Sequence, residues 1–154
     1  EAYSLIGSEK DSFGEEAINV LLKRMEDDRD RLVVIVAGYT EEMQMFINSN
    51  PGLQSRFNRY IEFENYNENE LVQIFESLAE KNDYKLVIES KKILSNHFVK
   101  MINLQQKDFG NGRYVRNLFE KIIQEHANKV STISNPTENE LINLTPDLFN
   151  SLNT

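Results

Sequence analysis

Several residue types that often carry chemistry are missing or scarce in this chain of 154 residues. It has no cysteine, which excludes disulfides, a thiolate nucleophile and cysteine-ligated zinc from these residues and fits a reducing cytoplasm. Its two histidines, His97 and His126, do not make a metal site by themselves. Each falls within an apolar helical pattern, so we expect each to lie at the edge of a core and to be satisfied by hydrogen bonds.

Long apolar runs and an excess of positive charge are also lacking. No stretch approaches the roughly 18 uncharged apolar residues of a transmembrane helix, so no membrane partner is expected. With 17 Lys and Arg against 25 Asp and Glu, the net charge is -8, which argues against a broad footprint on a nucleic-acid backbone. The hydrophobic content of 40% is enough for one ordinary domain or two small ones. We therefore expect a globular, cytoplasmic protein with no nucleic-acid partner.

Residues 1–65 carry the pattern of a mixed α/β domain. Capping-box spacing at Ser12, with an apolar face behind it, predicts a helix that ends at about Arg29. Leu32 to Gly38 is a continuous apolar run rich in β-branched residues, which predicts a strand buried on both faces in the middle of a parallel sheet. Tyr60 to Phe63 is a shorter strand candidate. These pieces belong to an α/β domain but are too few to complete one.

The remaining residues, 66–154, carry helical patterns. Asn67 and Glu70 have capping spacing, and the first of three amphipathic stripes follows them. The stripes consist of Leu71, Ile74, Phe75, Leu78 and Ala79, then Ile93, Leu94, His97, Phe98, Met101 and Ile102, and finally Val115, Leu118, Phe119, Ile122, Ile123, Ala127 and Val130. After a polar loop at Ser131 to Asn139, a threonine cap and a proline predict a short helix at Thr145 to Phe149. This pattern predicts a small all-α bundle.

Two arginines, Arg113 and Arg116, are predicted in the first turn of the third bundle helix, where the helix dipole disfavours positive charge. A bound phosphate would explain both, because free backbone N–H groups and the dipole favour an anion at a helix N-terminus. Two guanidinium groups three residues apart would lie on one side of the helix and contact that anion. Alternatively, one or both arginines pair with acidic residues, as exposed arginines commonly do.

A third arginine, Arg56, lies outside the helical patterns. It follows a turn signal, Asn50-Pro51-Gly52-Leu53, and it precedes Phe57. We therefore expect its side chain at a domain edge and not on a helix face, in a position to reach the site of a partner. Alternatively, Arg56 pairs with an acidic side chain and Phe57 anchors the loop.

Four segments together resemble the second half of an AAA+ ATPase. They are Glu1 to Leu5, Leu32 to Tyr39, Asn50 to Phe57 and Phe109 to Asn117, in that order. The chain is most similar to the group containing red-type rubisco activase and stage V sporulation protein K, in which an aspartate normally precedes the glutamate found here as residue 1. The resemblance implies that the chain begins inside a Walker B motif. It also implies a partial P-loop NTPase α/β domain over residues 1–65, followed by an all-α helical lid over residues 66–154.

The resemblance assigns roles to two polar residues of the first domain. Glu1 falls on the Walker B glutamate, which would position the attacking water; alternatively it is a frayed terminal residue. Thr40 falls on the sensor-1 position, which helps to hold that water, and alternatively it is the N-cap of the following helix. The loop from Ile6 to Phe13 corresponds to a second pore loop that would line the channel of a ring.

The arginines receive roles from the same resemblance. Arg56 lies in a segment similar to the arginine finger of ring-shaped ATPases, which is inserted into a neighbour's site and accelerates hydrolysis by about 10³ to 10⁵ in well-studied nucleotide hydrolases. Arg113 lies in a segment similar to the sensor-2 element, whose arginine reaches from the lid to the γ-phosphate of the nucleotide. Arg116 is the second candidate for this phosphate contact.

One expected nucleotide-binding motif is missing from the chain. No G-x-x-x-x-G-K-S/T occurs in the 154 residues, so they hold no loop that cradles the α- and β-phosphates. The chain alone is therefore expected not to hydrolyse ATP. The resemblance implies a longer parent that binds ATP and Mg²⁺, assembles with itself into a ring, expected to be a hexamer, and remodels a protein client.

Two other functions are compatible with these features. A non-catalytic helical interaction or adaptor module could retain the lid fold, and residues upstream of Glu1 would then lack a P-loop. A DNA-handling ATPase of the clamp-loader or branch-migration type uses similar arginine elements. The acidic charge balance and the lack of a basic recognition helix count against that second function.

Overall fold

The computed structural model describes residues 1–6, 12–104 and 109–152. The chain divides into two compact units, Glu1–Phe63 and Glu64–Thr154. In the described residues, the first unit consists of helices joined by irregular segments, and the second consists of helices and a two-stranded parallel sheet. Each unit has its own hydrophobic core.

The described residues of the first unit form one 3-10 helix and three α-helices. The 3-10 helix is Ala2–Leu5, and the α-helices are α1 (Ser12–Asp27), α2 (Thr40–Asn48) and α3 (Pro51–Arg56). Helix α1 forms as predicted and ends two residues earlier than expected. The side chain of Ser12 and most of the predicted pore loop lie outside the described residues, so the predicted cap and this loop stay predictions. The core consists of the buried side chains Ile18, Phe46, Ile47, Leu53 and Phe57.

The two strands predicted for the first unit do not form. Residues 32–39 form neither a helix nor a paired strand, and the side chains of Val33 and Ile35 are 84% and 87% exposed. Val34 and Val36 pack against the core, so one face of the segment is covered and the other is open. Residues 57–66 are also unpaired, and Phe63 is 90% exposed. A strand must bond its backbone N–H and C=O groups to a neighbouring strand, and the described part of this unit offers none.

The second unit is mostly helical, as the three amphipathic stripes predict. Its long helices are α4 (Glu68–Lys81), α5 (Ile88–Asn103) and α6 (Gly112–Ser131). The buried core is contributed by all three and by the C-terminal segment, and it contains Leu71, Val72, Phe75, Ala79, Leu94, Phe98, Val115, Leu118, Phe119, Ile122, Leu144, Leu148 and Phe149. Phe75 lies at its centre, with its ring 5.5 Å from the ring of Phe119 and 5.9 Å from that of Phe149. Burying several phenylalanines together contributes a large part of the apolar stabilisation of so small a unit.

The start of α4 confirms the predicted capping box. Asn67 Oδ1 accepts hydrogen bonds from the backbone N–H groups of Asn69 and Glu70, at 3.0 and 3.1 Å. Glu70 Oε2 accepts a bond from the Asn67 N–H at 2.8 Å. Both ends of the motif are therefore satisfied, and the first residue of the helix is well defined.

The chain after α6 contains structure that the loop prediction missed. The segment predicted as a polar loop leads into a short helix, α7 (Glu138–Ile142), which begins with a second capping box between Thr137 and Glu140. Strand β2 (Asn143–Leu144) follows and pairs in parallel with β1 (Lys85–Leu86). The predicted C-terminal helix is present as a 3-10 helix, Pro146–Leu152.

Candidate functional site

The N-terminus and the end of the apolar segment, residues 32–39, lie together in the first unit. The Ala2 N–H donates to the carbonyl of Ala37 at 3.2 Å, and the rings of Tyr3 and Tyr39 stack with centroids 6.5 Å apart. Desolvation, assisted by the Glu1 carboxylate, raises the pKa of Tyr3 above its ordinary value. The Tyr3 ring packs closely on Gly38, because a Cβ at this position would lie 2.6 Å from the ring and the ring would have to move. Glu1 is thus held beside the segment that leads into α2.

Thr40 is the first residue of α2 and is exposed. The alternative interpretation of Thr40 as the N-cap is wrong by one residue, because the cap is Tyr39, whose ψ is 145° and which makes no side-chain capping bond. An exposed hydroxyl at the first helical position is free to bond a ligand oxygen or water beyond the helix end. The structure therefore brings Glu1 and Thr40 to one region of the first unit, joined through the stacked rings of Tyr3 and Tyr39.

Arg56 is the last residue of α3, so the expectation that it lies outside a helix is wrong. The turn signal before it is the start of the helix. Asn50 is the N-cap and accepts a bond from the Gly52 N–H at 2.7 Å, while Pro51 is the first helical residue. An asparagine followed by proline is a helix-start signal as well as a turn signal, so the start of this helix could have been predicted from the sequence.

The Arg56 guanidinium pairs with a carboxylate from the end of α1. Its Nη2 lies 2.9 Å from Glu26 Oε2, and its Nη1 donates to the Gly52 carbonyl at 3.5 Å and to Ser55 Oγ at 3.4 Å. Phe57 is buried behind it, as the alternative interpretation predicts. Glu26 is 60% exposed at its side chain, so the pair is partly solvated and contributes about 1 kcal/mol or less. Another anion could therefore replace Glu26 at small cost.

Arg113 and Arg116 are exposed in the first two turns of α6. Within residues 1–6, 12–104 and 109–152, neither forms an ion pair. The first turn of α6 contains no acidic residue, and the side chain of Asn111, its N-cap, makes no capping bond. Two cations therefore lie at a helix N-terminus that has no carboxylate of its own, which is an arrangement suited to a phosphate.

The backbone that precedes Arg113 has an unusual conformation. Asn111 has a φ of 48° and a ψ of -118°, a backbone region that residues other than glycine rarely adopt. Its Oδ1 accepts a bond from the Tyr66 N–H at 3.3 Å. Asn111 was not identified from the sequence as a candidate residue. Its position between Gly110 and Gly112 was the available signal.

Both histidines are satisfied by hydrogen bonds, as predicted. His97 Nε2 lies 2.6 Å from the Tyr114 hydroxyl, and burial, with a smaller contribution from Lys100, lowers the pKa of His97. His126 is buried, and its Nε2 lies 3.0 Å from the Glu140 carbonyl. Because a carbonyl only accepts, Nε2 of His126 carries the proton. Among the described residues there is no group of three or more His, Cys, Asp or Glu side chains that could hold a metal ion.

The helical unit matches a known protein family. The AAA lid domain family covers residues 67–151, which is more than half of the chain. The chain belongs to the AAA+ ATPases. The AAA+ lid match begins at Asn67, the cap of α4, and ends within the C-terminal 3-10 helix, so it covers the complete helical bundle.

Individual AAA+ relatives cover both units. Stage V sporulation protein K of Bacillus subtilis is 42% identical over 129 residues, which are 82% of this chain and 40% of the relative. A CfxQ homolog of Galdieria sulphuraria is 38% identical over 136 residues, 88% of this chain and 44% of the relative. The ESX-3 secretion system protein EccA3 of Mycobacterium tuberculosis H37Rv is 42% identical over 137 residues, 81% of this chain and 22% of the relative. The chain thus spans less than half the length of these relatives.

The site residues expected of an AAA+ protein fall in both units. Glu1, Thr40 and Arg56 belong to the first unit, and Arg113 and Arg116 belong to the lid. The sequence analysis proposed these five residues as candidates, and their roles stay predictions. It did not include Glu26, the partner of Arg56, because an exposed glutamate in an acidic chain carries no distinguishing pattern. In the part of this AAA+ chain that the structure describes, no helix is long and apolar enough to cross a membrane.

Proposed function

We propose that this chain is the C-terminal part of an ATP-hydrolysing AAA+ module whose lid contacts the nucleotide phosphates. The observation that carries the proposal is the start of α6, where Arg113 and Arg116 are exposed and have no acidic partner among the described residues. A lid that closes over a nucleotide needs uncommitted cations facing the triphosphate. The match to the AAA lid family supplies the fold on which this arrangement is built.

Arg113 is the principal phosphate contact in this proposal. It is the second residue of α6, and its backbone N–H donates to the Gly110 carbonyl at 2.9 Å, so its position follows the first turn of the helix. Arg116 lies three residues further along and presents its side chain to the same side. A guanidinium binds phosphate oxygens with two parallel hydrogen bonds, which makes the contact directional.

Arg56, Glu1 and Thr40 act on the hydrolysis step in this proposal. Arg56 is released from Glu26 and inserted into the site of a neighbouring subunit, where it neutralises charge on the transferred phosphoryl group. The partly solvated Arg56–Glu26 pair supports this, because exchanging Glu26 for a phosphoryl oxygen is inexpensive. Glu1 positions the attacking water together with Thr40, and a longer protein supplies the P-loop, ATP and Mg²⁺ sites.

We infer that the full-length parent works as a ring, expected to be a hexamer, in the cytoplasm and remodels a protein client. A finger that acts on a neighbour requires head-to-tail contacts, and such contacts close into rings when the rotation permits. The names of the relatives refer to sporulation and to a secretion system. Lacking cysteine, the chain is suited to a reducing compartment.

The first test measures ATP binding by the 154-residue chain. We expect no binding or only weak binding by calorimetry, because Arg113, Arg116 and one helix N-terminus are the only phosphate contacts that the proposal gives this chain with its own nucleotide. Micromolar affinity with measurable turnover would show that this chain needs no P-loop and would overturn the proposal. If the residues upstream of Glu1 in the gene product also lack a P-loop, the adaptor function is favoured instead.

The second test separates the finger from the lid arginine in the full-length protein. Arg56→Ala should leave nucleotide affinity nearly unchanged and lower kcat by about 10³ or more, because a finger acts in the transition state. Arg113→Ala should weaken nucleotide affinity as well as turnover. Arg29→Ala is the matched control, since Arg29 is exposed and has only a long 3.9 Å contact with Asp30.

Mixed rings decide whether Arg56 acts in trans. An Arg56→Ala subunit has an intact site of its own, and a Glu1→Gln subunit retains a finger but should not hydrolyse ATP. Mixing the two should recover ATP hydrolysis at each Arg56→Ala site into which a neighbouring Glu1→Gln subunit inserts its Arg56. Arg113→Ala in place of Arg56→Ala should recover none. If confirmed mixed rings of the first pair stay inactive, Arg56 does not act on the neighbour.

A further inference from the structure

The chain contains a single Asn-Gly pair, Asn111-Gly112, where α6 begins. In such a pair the glycine nitrogen can attack the side-chain amide carbon of the asparagine, because glycine has no Cβ to obstruct the approach. The attack closes a five-membered ring, which requires the glycine nitrogen to be eclipsed with the asparagine Cβ. Helices and sheets, with ψ of about -42° and +135°, keep these two atoms apart, so most folded asparagines resist the reaction.

The backbone of Asn111 has the conformation that this ring requires. The N and Cβ substituents of an L-residue are about 120° apart around the Cα–C bond, so a ψ of -118° eclipses Cβ with the Gly112 nitrogen. Rotation of the side chain about its Cα–Cβ bond is then the movement left to bring the amide carbon to that nitrogen. The unusual backbone of Asn111 therefore presents a reactive geometry in the folded chain.

The polar atoms around the pair also favour the reaction. The Tyr66 N–H donates to Asn111 Oδ1 at 3.3 Å, so it is placed to stabilise the negative charge that develops on this oxygen. Asn111 Nδ2, the leaving nitrogen, is buried and has no hydrogen-bond partner among the described residues. The Gly112 N–H, a free donor in the first turn of α6, bonds no acceptor in the described part of the chain. No hydrogen bond to these residues thus restrains either nitrogen that must change its bonding.

We propose that Asn111 is a self-modification site, which the chain converts into aspartate or isoaspartate without an enzyme. The Gly112 nitrogen loses its proton to solvent and forms a bond to Cγ of Asn111. The Cγ–Nδ2 bond breaks, and the nitrogen takes up a proton and leaves as ammonia. Water then opens the ring. Opening at Cγ gives aspartate, and opening at the backbone carbonyl carbon gives isoaspartate, in which the main chain runs through Cβ and Cγ.

Either product has a carboxylate immediately before α6. Arg113 and Arg116 lie in the first two turns of this helix and form no ion pair with the described residues. The helix dipole favours a negative charge at this end, so we expect the new carboxylate to compete with phosphate for the arginines. This consequence, unlike the modification itself, rests on the proposed role of Arg113 as a phosphate contact.

The modification is measured by peptide mapping and mass spectrometry of the 154-residue chain, folded and unfolded in guanidinium chloride at the same neutral pH. We expect conversion of Asn111 to be at least as fast in the folded chain, because folding fixes the reactive ψ. Asn48 is the internal control, since it precedes the small Ser49 but lies in helix α2. Folding should slow its conversion by about tenfold or more. Slower conversion of Asn111 in the folded chain than in the unfolded one would overturn the proposal.

Gly112→Ala tests the attacking nitrogen at a position where the fold accepts a side chain. The added Cβ would lie 3.6 Å from Tyr66 Cε2, an ordinary contact, and Gly112 does not have a positive φ. The methyl group obstructs the attack, so conversion of Asn111 in the folded chain should slow by about tenfold. Gly110→Ala is the matched control on the other side of Asn111 and should leave the rate nearly unchanged. Equal rates in Gly112→Ala and the wild type would contradict the proposed route.

The effect on phosphate binding is tested in the full-length protein with Asn111→Asp, which installs the aspartate product directly. The dissociation constant for ATP should rise about two- to fivefold, and Asn117→Asp, which adds the same charge at an exposed position further along α6, should raise it less. If Arg113→Ala leaves ATP affinity intact, the phosphate role of Arg113 fails. If Arg113→Ala weakens ATP binding and Asn111→Asp does not, the competition fails. Conversion rates decide the modification site independently of both results.

Discussion

At the scale of single residues, the candidate arginines differ in whether the guanidinium group already has an ion-pair partner. Arg56 is committed to Glu26 and to the carbonyl of its own helix, whereas Arg113 and Arg116 have no ion-pair partner in the described part of the chain. The sequence gives the same two alternatives for all three, phosphate contact or acidic partner. Which carboxylate reaches which arginine depends on how α1 packs against α3, and this packing is not encoded in any local pattern. The ion pairing of each arginine is therefore known only from the folded unit.

His97 should make the stability of the helical unit depend on pH. Burial is the main cause that lowers its pKa, Lys100 adds to it, and the Leu152 carbonyl opposes both. The unfolded chain then binds a proton more readily than the folded one, so stability is fully present above a pH of about 6.5 and is lost as the pH falls toward the folded pKa. Urea unfolding followed by helicity from pH 8 to pH 5 should show this loss in the wild type.

The control for this pH dependence is His97→Gln, which removes the titrating ring. The carboxyl groups of Glu140 and Asp147, whose pKa values are lowered by their hydrogen bonds, titrate below this window and are unaffected. The difference in stability between wild type and variant should therefore decrease as the pH falls through the window. A difference that stays constant from pH 8 to pH 5 would show that His97 does not titrate differently in the two states.

At the scale of elements, the sequence predicted helices wherever an apolar stripe was long enough to be read. The helices α1, α4, α5 and α6 follow their predicted stripes, since burying one face of a helix requires that spacing. Prediction from the apolar spacing failed for α3 and α7, because helices of six and five residues are too short to show a hydrophobic period. Both begin with a side-chain cap, so the first residue of each helix could be predicted from the sequence, although its length could not. The β1–β2 pair was missed because two-residue strands have no alternation.

The capping box at α4 should contribute measurably to the stability of the lid. Asn67→Ala removes an oxygen that accepts two backbone bonds and should lower the free energy of unfolding by about 1 kcal/mol. Asn69→Ala is the matched control, because its side chain bonds only the exposed Glu68 carboxylate and should change stability by about 0.5 kcal/mol or less. Urea unfolding of each variant measures both effects. Equal losses in the two variants would mean that the cap is not the cause.

At the scale of the whole molecule, the two units should differ in stability. The helical unit buries a large core around Phe75, whereas the core of the first unit is smaller and its apolar segment, residues 32–39, has no neighbouring strand among the described residues. Amide exchange should therefore be slowest in the helical unit, for example at Phe119 and Ile122, and fast at Val33 to Val36. Measurement on a verified monomer is essential, because exposed extended segments can pair between copies. Slower exchange at Val33 to Val36 than in α6 would contradict this expectation.

The fold could be predicted from the sequence only where the packing partners of a segment lie within the described residues. The helical bundle was predicted because its stripes bury one another within the chain, and this is the region that the AAA lid family covers. The continuous apolar run at Leu32 to Gly38 predicts a central strand, and that prediction assumes neighbours that the described residues do not include. The segment therefore forms no strand, although its side chains alternate between exposed and partly buried over residues 33–37. The local sequence accounts for this alternation, and the lack of a neighbouring strand among the described residues accounts for the lack of a sheet.

The parallel β1–β2 pair has a consequence for the order of folding. Lys85 pairs with Asn143, and Ser90 Oγ donates to the Leu144 carbonyl at 2.8 Å, so these bonds join positions separated by the whole of α5 and α6. Closing so long a loop has an entropic cost that must be met before the pair contributes anything. We therefore expect the C-terminal segment to dock after the three long helices have assembled, on the native side of the folding barrier. Bonds formed that late slow unfolding and leave the folding rate almost unchanged. We therefore expect this short sheet to lower the unfolding rate of the helical unit and to have little influence on its folding rate.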